Sequence, residues 1–192
     1  MRLISTLLAC LFAIAMFAQT TIPRSEHPRP QFVRDTWVNL NGTWTYTFDF
    51  GESGTARGLS ASKGFDAKIT VPFCPESKLS GVEHKDFINA MWYHRTIDVP
   101  AAWQGKKILL NFGAVDYFST IYVNGEFAGR HWGGSSSFSI DITRFVKAGE
   151  NADVVVWVKD DLRSGEQTGG KQCTNYFSSG CSYTRVTGIW QT

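Results

Sequence analysis

Trp44, Tyr46, Phe48 and Phe50 alternate with Thr45, Thr47 and Asp49. A period of two places the aromatic set on one face and the polar set on the other, the pattern of a half-buried β-strand. Runs rich in β-branched and aromatic residues at 69–71, 92–99, 107–112, 119–123, 126–130, 138–140 and 154–159 predict further strands. Only Asn124 and Gly125 separate Val123 from Glu126, and both tolerate the positive φ of a two-residue type I′ hairpin. One helical turn is predicted over 142–147. Asp141 can accept a backbone N–H as its N-cap, Lys147 faces its negative end and Gly149 can terminate it. Residues 51–64 and 163–180 are rich in Gly and Ser, lack periodicity and read as loops. Eight short strands with almost no helix predict an all-β sandwich.

Composition narrows the class. With 43% apolar and 14% aromatic residues and a formal charge of +2, the chain suits one globular domain. It suits neither a disordered tail nor a coiled coil nor a basic nucleic-acid arm, so no nucleic-acid partner is expected. A (β/α)₈ barrel alone takes roughly 250 residues, more than the 192 present, so any barrel chemistry must lie elsewhere.

The N-terminus is a separate element. Arg2 precedes an apolar run from Leu3 to Phe17 that ends at Ala18, which reads as a secretory signal over residues 1–18. The run falls short of the roughly 20 apolar residues of a membrane span. An exported chain, periplasmic or extracellular, with no membrane association after cleavage is expected. Residues 19–36, with prolines at 23, 28 and 30, are read as an extended segment, and residues 37–192 as the sandwich. Beyond the signal remain Cys74, Cys173 and Cys181, so one disulfide at most can form. Cys173 and Cys181 can close their Gly/Ser-rich loop or stay free. Cys74, between Phe73 and Pro75, has no basic partner and reads as an inert thiol. No short paired Cys or His spacing suggests a metal site, and no cofactor motif occurs.

Several segments taken together carry a family resemblance. They are Trp37, Leu40, Asn41, Gly42 and Trp44; Val71, Pro72 and Phe73; Trp92, Tyr93 and Arg95; and Asn111 through Asp116. Tyr122 to Gly125, Gly133 and Gly134, Phe138 with Asp141 to Thr143, Gly149 to Asn151, and Thr187 to Gln191 follow in order. The arrangement resembles the N-terminal sugar-binding domain of glycoside hydrolase family 2. The resemblance implies a jelly-roll sandwich of about eight strands, followed in the family by an immunoglobulin-like domain and a catalytic (β/α)₈ barrel. It also implies retaining hydrolysis of β-linked glycosides by two barrel glutamates about 5 Å apart. The chain is then expected to be a non-catalytic module, inactive alone, with carbohydrate and those further domains as its partners. A freestanding secreted lectin-like sandwich is the alternative. The strand-like Ile189 to Gln191 reads as interrupted, with Ile189 and Trp190 expected at an exposed edge.

Candidate sugar contacts follow from chemistry. Pyranose rings present C–H faces that stack on aromatic rings, while their hydroxyls need polar partners, so the loop aromatics Trp132 and Tyr183 are candidates. Asn89, Asp160, Asp161 and Arg185 are the polar candidates. The acidic residue that some galactosidases carry shortly before the Gly-Ile pair is unmatched in Cys181 to Arg185. The cluster Glu83, His84 and Asp86 reads as a solvated turn, and no nucleophile elbow or phosphate loop occurs.

Overall fold

A computed structural model describes residues 21–192; the expected signal at 1–18 lies outside the described residues. The strands are β1 (Gly42–Phe48), β2 (Ala67–Val71), β3 (Ala90–Asp98), β4 (Leu109–Phe112), β5 (Ala114–Asp116), β6 (Phe118–Val123), β7 (Glu126–Trp132), β8 (Phe138–Asp141), β9 (Asn151–Lys159) and β10 (Gly188–Gln191). Six form one antiparallel sheet in the order β2-β1-β3-β9-β6-β7, and two ribbons, β4–β8 and β5–β10, complete the molecule. Trp44, Tyr93, Val156 and Ile121 of the large sheet share one core with Leu110, Phe112, Val115 and Ile189 of the ribbons. The molecule is the all-β sandwich that the alternating pattern implies.

Every strand read from the sequence is present, the strand-like Ile189 to Gln191 lies in β10, and β5 is additional. At three residues β5 is too short to carry a period, and it pairs with β10. Their pairing, Gly188 opposite Asp116 and Ile189 opposite Val115, corrects the expectation of an exposed edge. Ile189 is 2% exposed and belongs to the core, and the Trp190 indole N–H donates to the Gly134 carbonyl at 2.7 Å. Strand β10 lies against β5 and so points its apolar side chain inward.

Strand β3 departs from simple alternation because both of its faces are covered. Met91 and Tyr93 enter the core, while Trp92 points to the opposite face and is nonetheless completely buried. Trp157 lies opposite Trp92 on β9, and Tyr122 stacks on Trp92 with ring centroids 6.1 Å apart. The loop after β1 closes over this outer face. Asp49, where the chain leaves β1, accepts hydrogen bonds from the Trp92 indole at 2.8 Å, the Gly54 amide at 2.9 Å and the Ser53 amide at 3.0 Å. Burial opposes the Asp49 charge, but these donors, with Arg57 nearby, more than offset it and hold the carboxyl below its usual range. Any Cβ at Gly54 would overlap the indole. Salt bridges of Lys63 with Asp153 and Lys159 with Glu52, at 2.5 and 2.7 Å, pin the loop further.

The turns follow local chemistry. Asn124 and Gly125 have φ of 52° and 84°, the conformation expected of the β6–β7 hairpin. The helical turn is shorter than expected, a 3₁₀ turn at Thr143–Phe145. Asp141 supports it by accepting from the Thr143 amide and hydroxyl at 3.0 and 2.6 Å. The segment before β1 crosses the surface without pairing and is held by Asn41, which donates to the Pro23 and Arg24 carbonyls.

Replacing Asp49 with Ala removes three acceptor contacts and leaves the Trp92 N–H buried without a partner. The expected loss is about 2–4 kcal/mol of unfolding free energy by urea titration, with Asp49→Asn losing less. Equal stability of Asp49→Ala and the parent chain would show that the loop does not carry the outer face.

Candidate functional site

Most of the polar chemistry gathers where the long segment between β9 and β10 returns to the sandwich. Three carboxylates reach it from separate elements: Glu76 after β2, Asp116 at the end of β5 and Asp160 just past β9. Each is no more than 6% exposed. Asp160 accepts from the Thr187 hydroxyl at 2.7 Å and the Gln167 amide at 2.6 Å. Asp116 accepts from the Gln172 side chain at 2.7 Å, and Glu76 from the Thr187 main chain at 3.2 Å. One oxygen of Glu76 and one of Asp116 are buried without a partner. Burial pushes the Glu76 carboxyl up to about 7, with its hydrogen bonds countering only in part. Burial, followed by the charges of Asp160 and Glu76, also pushes Asp116 up to about 7. Burial raises Asp160 as well, against the donors from Thr187 and Gln167.

Beside Asp116 opens a cavity of about 410 Å³, lined by the turn at 133–136, by residues 168–170 and by Gln172. Gly134 lies so close to Asp116 that any Cβ there would overlap the carboxylate. A second concavity of about 470 Å³ is lined by Tyr46, Phe48, Phe50 and Phe65 with Asp66 at its border. Phe50 is 53% exposed there. Small polar groups line the first concavity and aromatic rings the second. The first offers hydrogen-bonding groups, the second flat apolar ring faces.

The six residues singled out from sequence have different fates. Asp160 belongs to the carboxylate group just described. Arg185 is buried: its guanidinium donates to the carbonyls of Cys173, Asn175, Tyr176 and Lys85 and lies 4.2 Å from the Phe87 ring centroid. Asn89 serves a strand end, donating to the Phe50 carbonyl and accepting from the Asp160 amide. Asp161 is exposed, and its main chain caps a turn with Ser164 and Gln167. Trp132 and Tyr183 remain open to solvent at 55% and 65% exposure. Trp132 lies under the Arg130 guanidinium, 5.0 Å from the ring centroid.

The suggested Cys173–Cys181 bridge is absent. Cys173 is buried with its thiol donating to the Phe177 carbonyl at 3.4 Å, Cys181 is exposed, and both are free. The loop is closed instead by main-chain bonds between Tyr183 and residues 171 and 173. Cys74 is pushed up to about 12 by burial and the nearby Glu76 charge, which leaves it an unreactive thiol. Glu83 pairs with Lys78 and Lys85 at the surface, while His84 packs against Phe48 with the rings tilted and their centroids 4.8 Å apart. Among the described residues no group of three or more His, Cys, Asp or Glu side chains is placed to hold a metal ion.

Glu76, Gln167, Gln172 and Thr187 were not singled out from sequence. Asp116 and Thr187 do stand in the segments that carry the family resemblance. A polar residue at the boundary of an otherwise apolar segment is the one signal available for them.

The fold places the chain among all-β sandwich modules. The family model described as glycosyl hydrolases family 2, sugar binding domain, matches residues 62–168. The chain belongs to that family. It is 36% identical to a β-galactosidase of Thermoanaerobacter pseudethanolicus over 139 residues, which cover 66% of this chain and 17% of the relative. It is 33% identical to a β-glucuronidase of Paenibacillus borealis over 136 residues, covering 68% and 23%. Among solved structures, the β-glucuronidase of Ruminococcus gnavus in complex with uronic deoxynojirimycin superposes with a TM-score of 0.59 at 30% identity, covering 65% of this chain and 22% of that one. The chain thus spans about a fifth of the length of these relatives.

Arg185→Ala strips donors from four carbonyls and a cation from the Phe87 face. The expected result is a loss of about 2–4 kcal/mol and preferential proteolytic cleavage within 163–183, with Arg185→Lys intermediate. Limited proteolysis read by mass spectrometry checks it, and an unchanged cleavage map would remove Arg185 as the organiser of the loop.

Proposed function

We propose that this chain is the N-terminal, non-catalytic sugar-binding and packing module of an exported retaining glycosidase acting on β-linked O-glycosides. The observation that carries the reading is the family match over residues 62–168. In this reading the acid/base and nucleophile glutamates come from a (β/α)₈ barrel outside this sequence, since a barrel alone takes roughly 250 residues. The module supplies packing surface and one wall of the substrate pocket through the exposed Trp132 and Tyr183. Export rests on the apolar run from Leu3 to Phe17 with its small-residue end. The identity of the sugar is left to the barrel loops.

A second reading, a freestanding lectin-like domain, draws support from the groove lined by Tyr46, Phe48, Phe50 and Phe65. The two readings part in one experiment. This chain and the product of its reading frame extended downstream are assayed on chromogenic β-galactoside, β-glucuronide and β-mannoside substrates. Hydrolysis by the longer product alone is expected. In that product Trp132→Ala and Tyr183→Ala are expected to weaken substrate binding by about three- to tenfold, seen in KM. A stop codon at the end of this chain, together with glycan binding abolished by Phe50→Ala, would replace the module reading with the lectin-like one.

A further inference from the structure

The segment after β9 is tied to the sandwich through three carboxylates whose hydrogen-bond donors are neutral groups. Gln167 and Thr187 donate to Asp160, Gln172 donates to Asp116, and the Thr187 amide donates to Glu76. Arg185 is the cation that acts on Asp160, and its guanidinium is already engaged with four main-chain carbonyls. The other titratable groups facing the cluster are Asp161 beside Asp160, and the Cys74 thiol and Tyr93 hydroxyl beside Glu76. None of these supplies positive charge.

Glu76 and Asp116 each accept through one oxygen and bury the other without a donor. A protonated carboxyl tolerates that setting, whereas an ionised one leaves half of its charge unsolvated, and at Asp116 it also meets the charges of Asp160 and Glu76. The cavity between the 133–136 turn and residues 168–170 with Gln172 lies beside Asp116, and Gly134 packs against the buried carboxylate. Solvating the ionised group therefore means separating the walls of that cavity, one of which is the long segment itself.

We infer that residues 163–187 form a latch, shut while Glu76 and Asp116 are protonated and released as they ionise. The latch stands independently of what the cavity binds. Its sign is fixed by linkage: the closed state holds protons that the open state gives up. For each group the opening equilibrium rises about tenfold per pH unit from its ordinary value, 4.5 for Glu76 and 3.8 for Asp116, up to about 7, and levels off above that.

Amide hydrogen exchange of the full chain at about pH 5 and about pH 7.5, corrected for intrinsic rates and referenced to β3 and β9, tests this. Protection within 163–187 is expected to fall by about tenfold or more relative to those strands, and the fall is expected to vanish in Glu76→Gln/Asp116→Asn. Equal protection at both pH values, or the same fall in the double variant, overturns the latch. Should the double variant not fold, the parent chain carries the test through its two loop thiols, buried Cys173 and exposed Cys181. The alkylation rate of Cys173 relative to Cys181 is expected to rise about tenfold over the same interval. A constant ratio overturns the proposal.

Discussion

Burial of Trp92 on the outer face of the large sheet is the constraint around which the rest of the molecule is arranged. Its indole N–H needs a buried acceptor, and Asp49 supplies one at 2.8 Å. The same carboxylate gathers the Ser53 and Gly54 amides and so draws the loop after β1 onto the sheet. With that loop in place β3 is covered on both sides, and its pairing with β1 and β9 becomes the centre of the sandwich. Gly54 is required because no side chain fits between loop and indole.

Carboxylates take opposite roles at the two ends of this architecture, and their donors decide which. Asp153 is opposed by burial, yet hydrogen bonds from Lys63, His94 and Thr96 hold its carboxyl at about 2. Glu76 and Asp116 are more deeply enclosed, and burial, joined at Asp116 by the charges of Asp160 and Glu76, pushes both up to about 7. The first arrangement fastens a loop with fixed charge. The second fastens one through neutral acids, and that fastening answers to the proton concentration.

This division bears on what a sugar-binding domain of family 2 has to do. A rigid sheet with a firmly clamped outer face gives a stable frame, while the segment carrying Tyr176, Phe177 and Tyr183 keeps its aromatic rings in solvent. Arg185 reconciles the two demands by holding the main chain of that segment from within. Its side chain is the internal scaffold of the loop, and the rings around it are the surface free to meet another molecule.

The alternating and β-branched runs determined most of this fold by themselves, because strand faces and two-residue turns depend on neighbours in the chain. The Trp44–Phe48 alternation, the Asn124–Gly125 hairpin and the order of family segments were all legible on that basis. Strand β5 was not, since three residues hold no period, and neither was its pairing with β10, which joins distant parts of the chain. The burial of Ile189, the freedom of Cys173 and Cys181 and the inward turn of Arg185 likewise depended on the path of a long loop. Only tertiary structure could bring Glu76, Asp116 and Asp160 together. Each sits at a strand end or in a connection, where side-chain direction is set by packing across the sandwich, and their shared electrostatics arise from that packing alone.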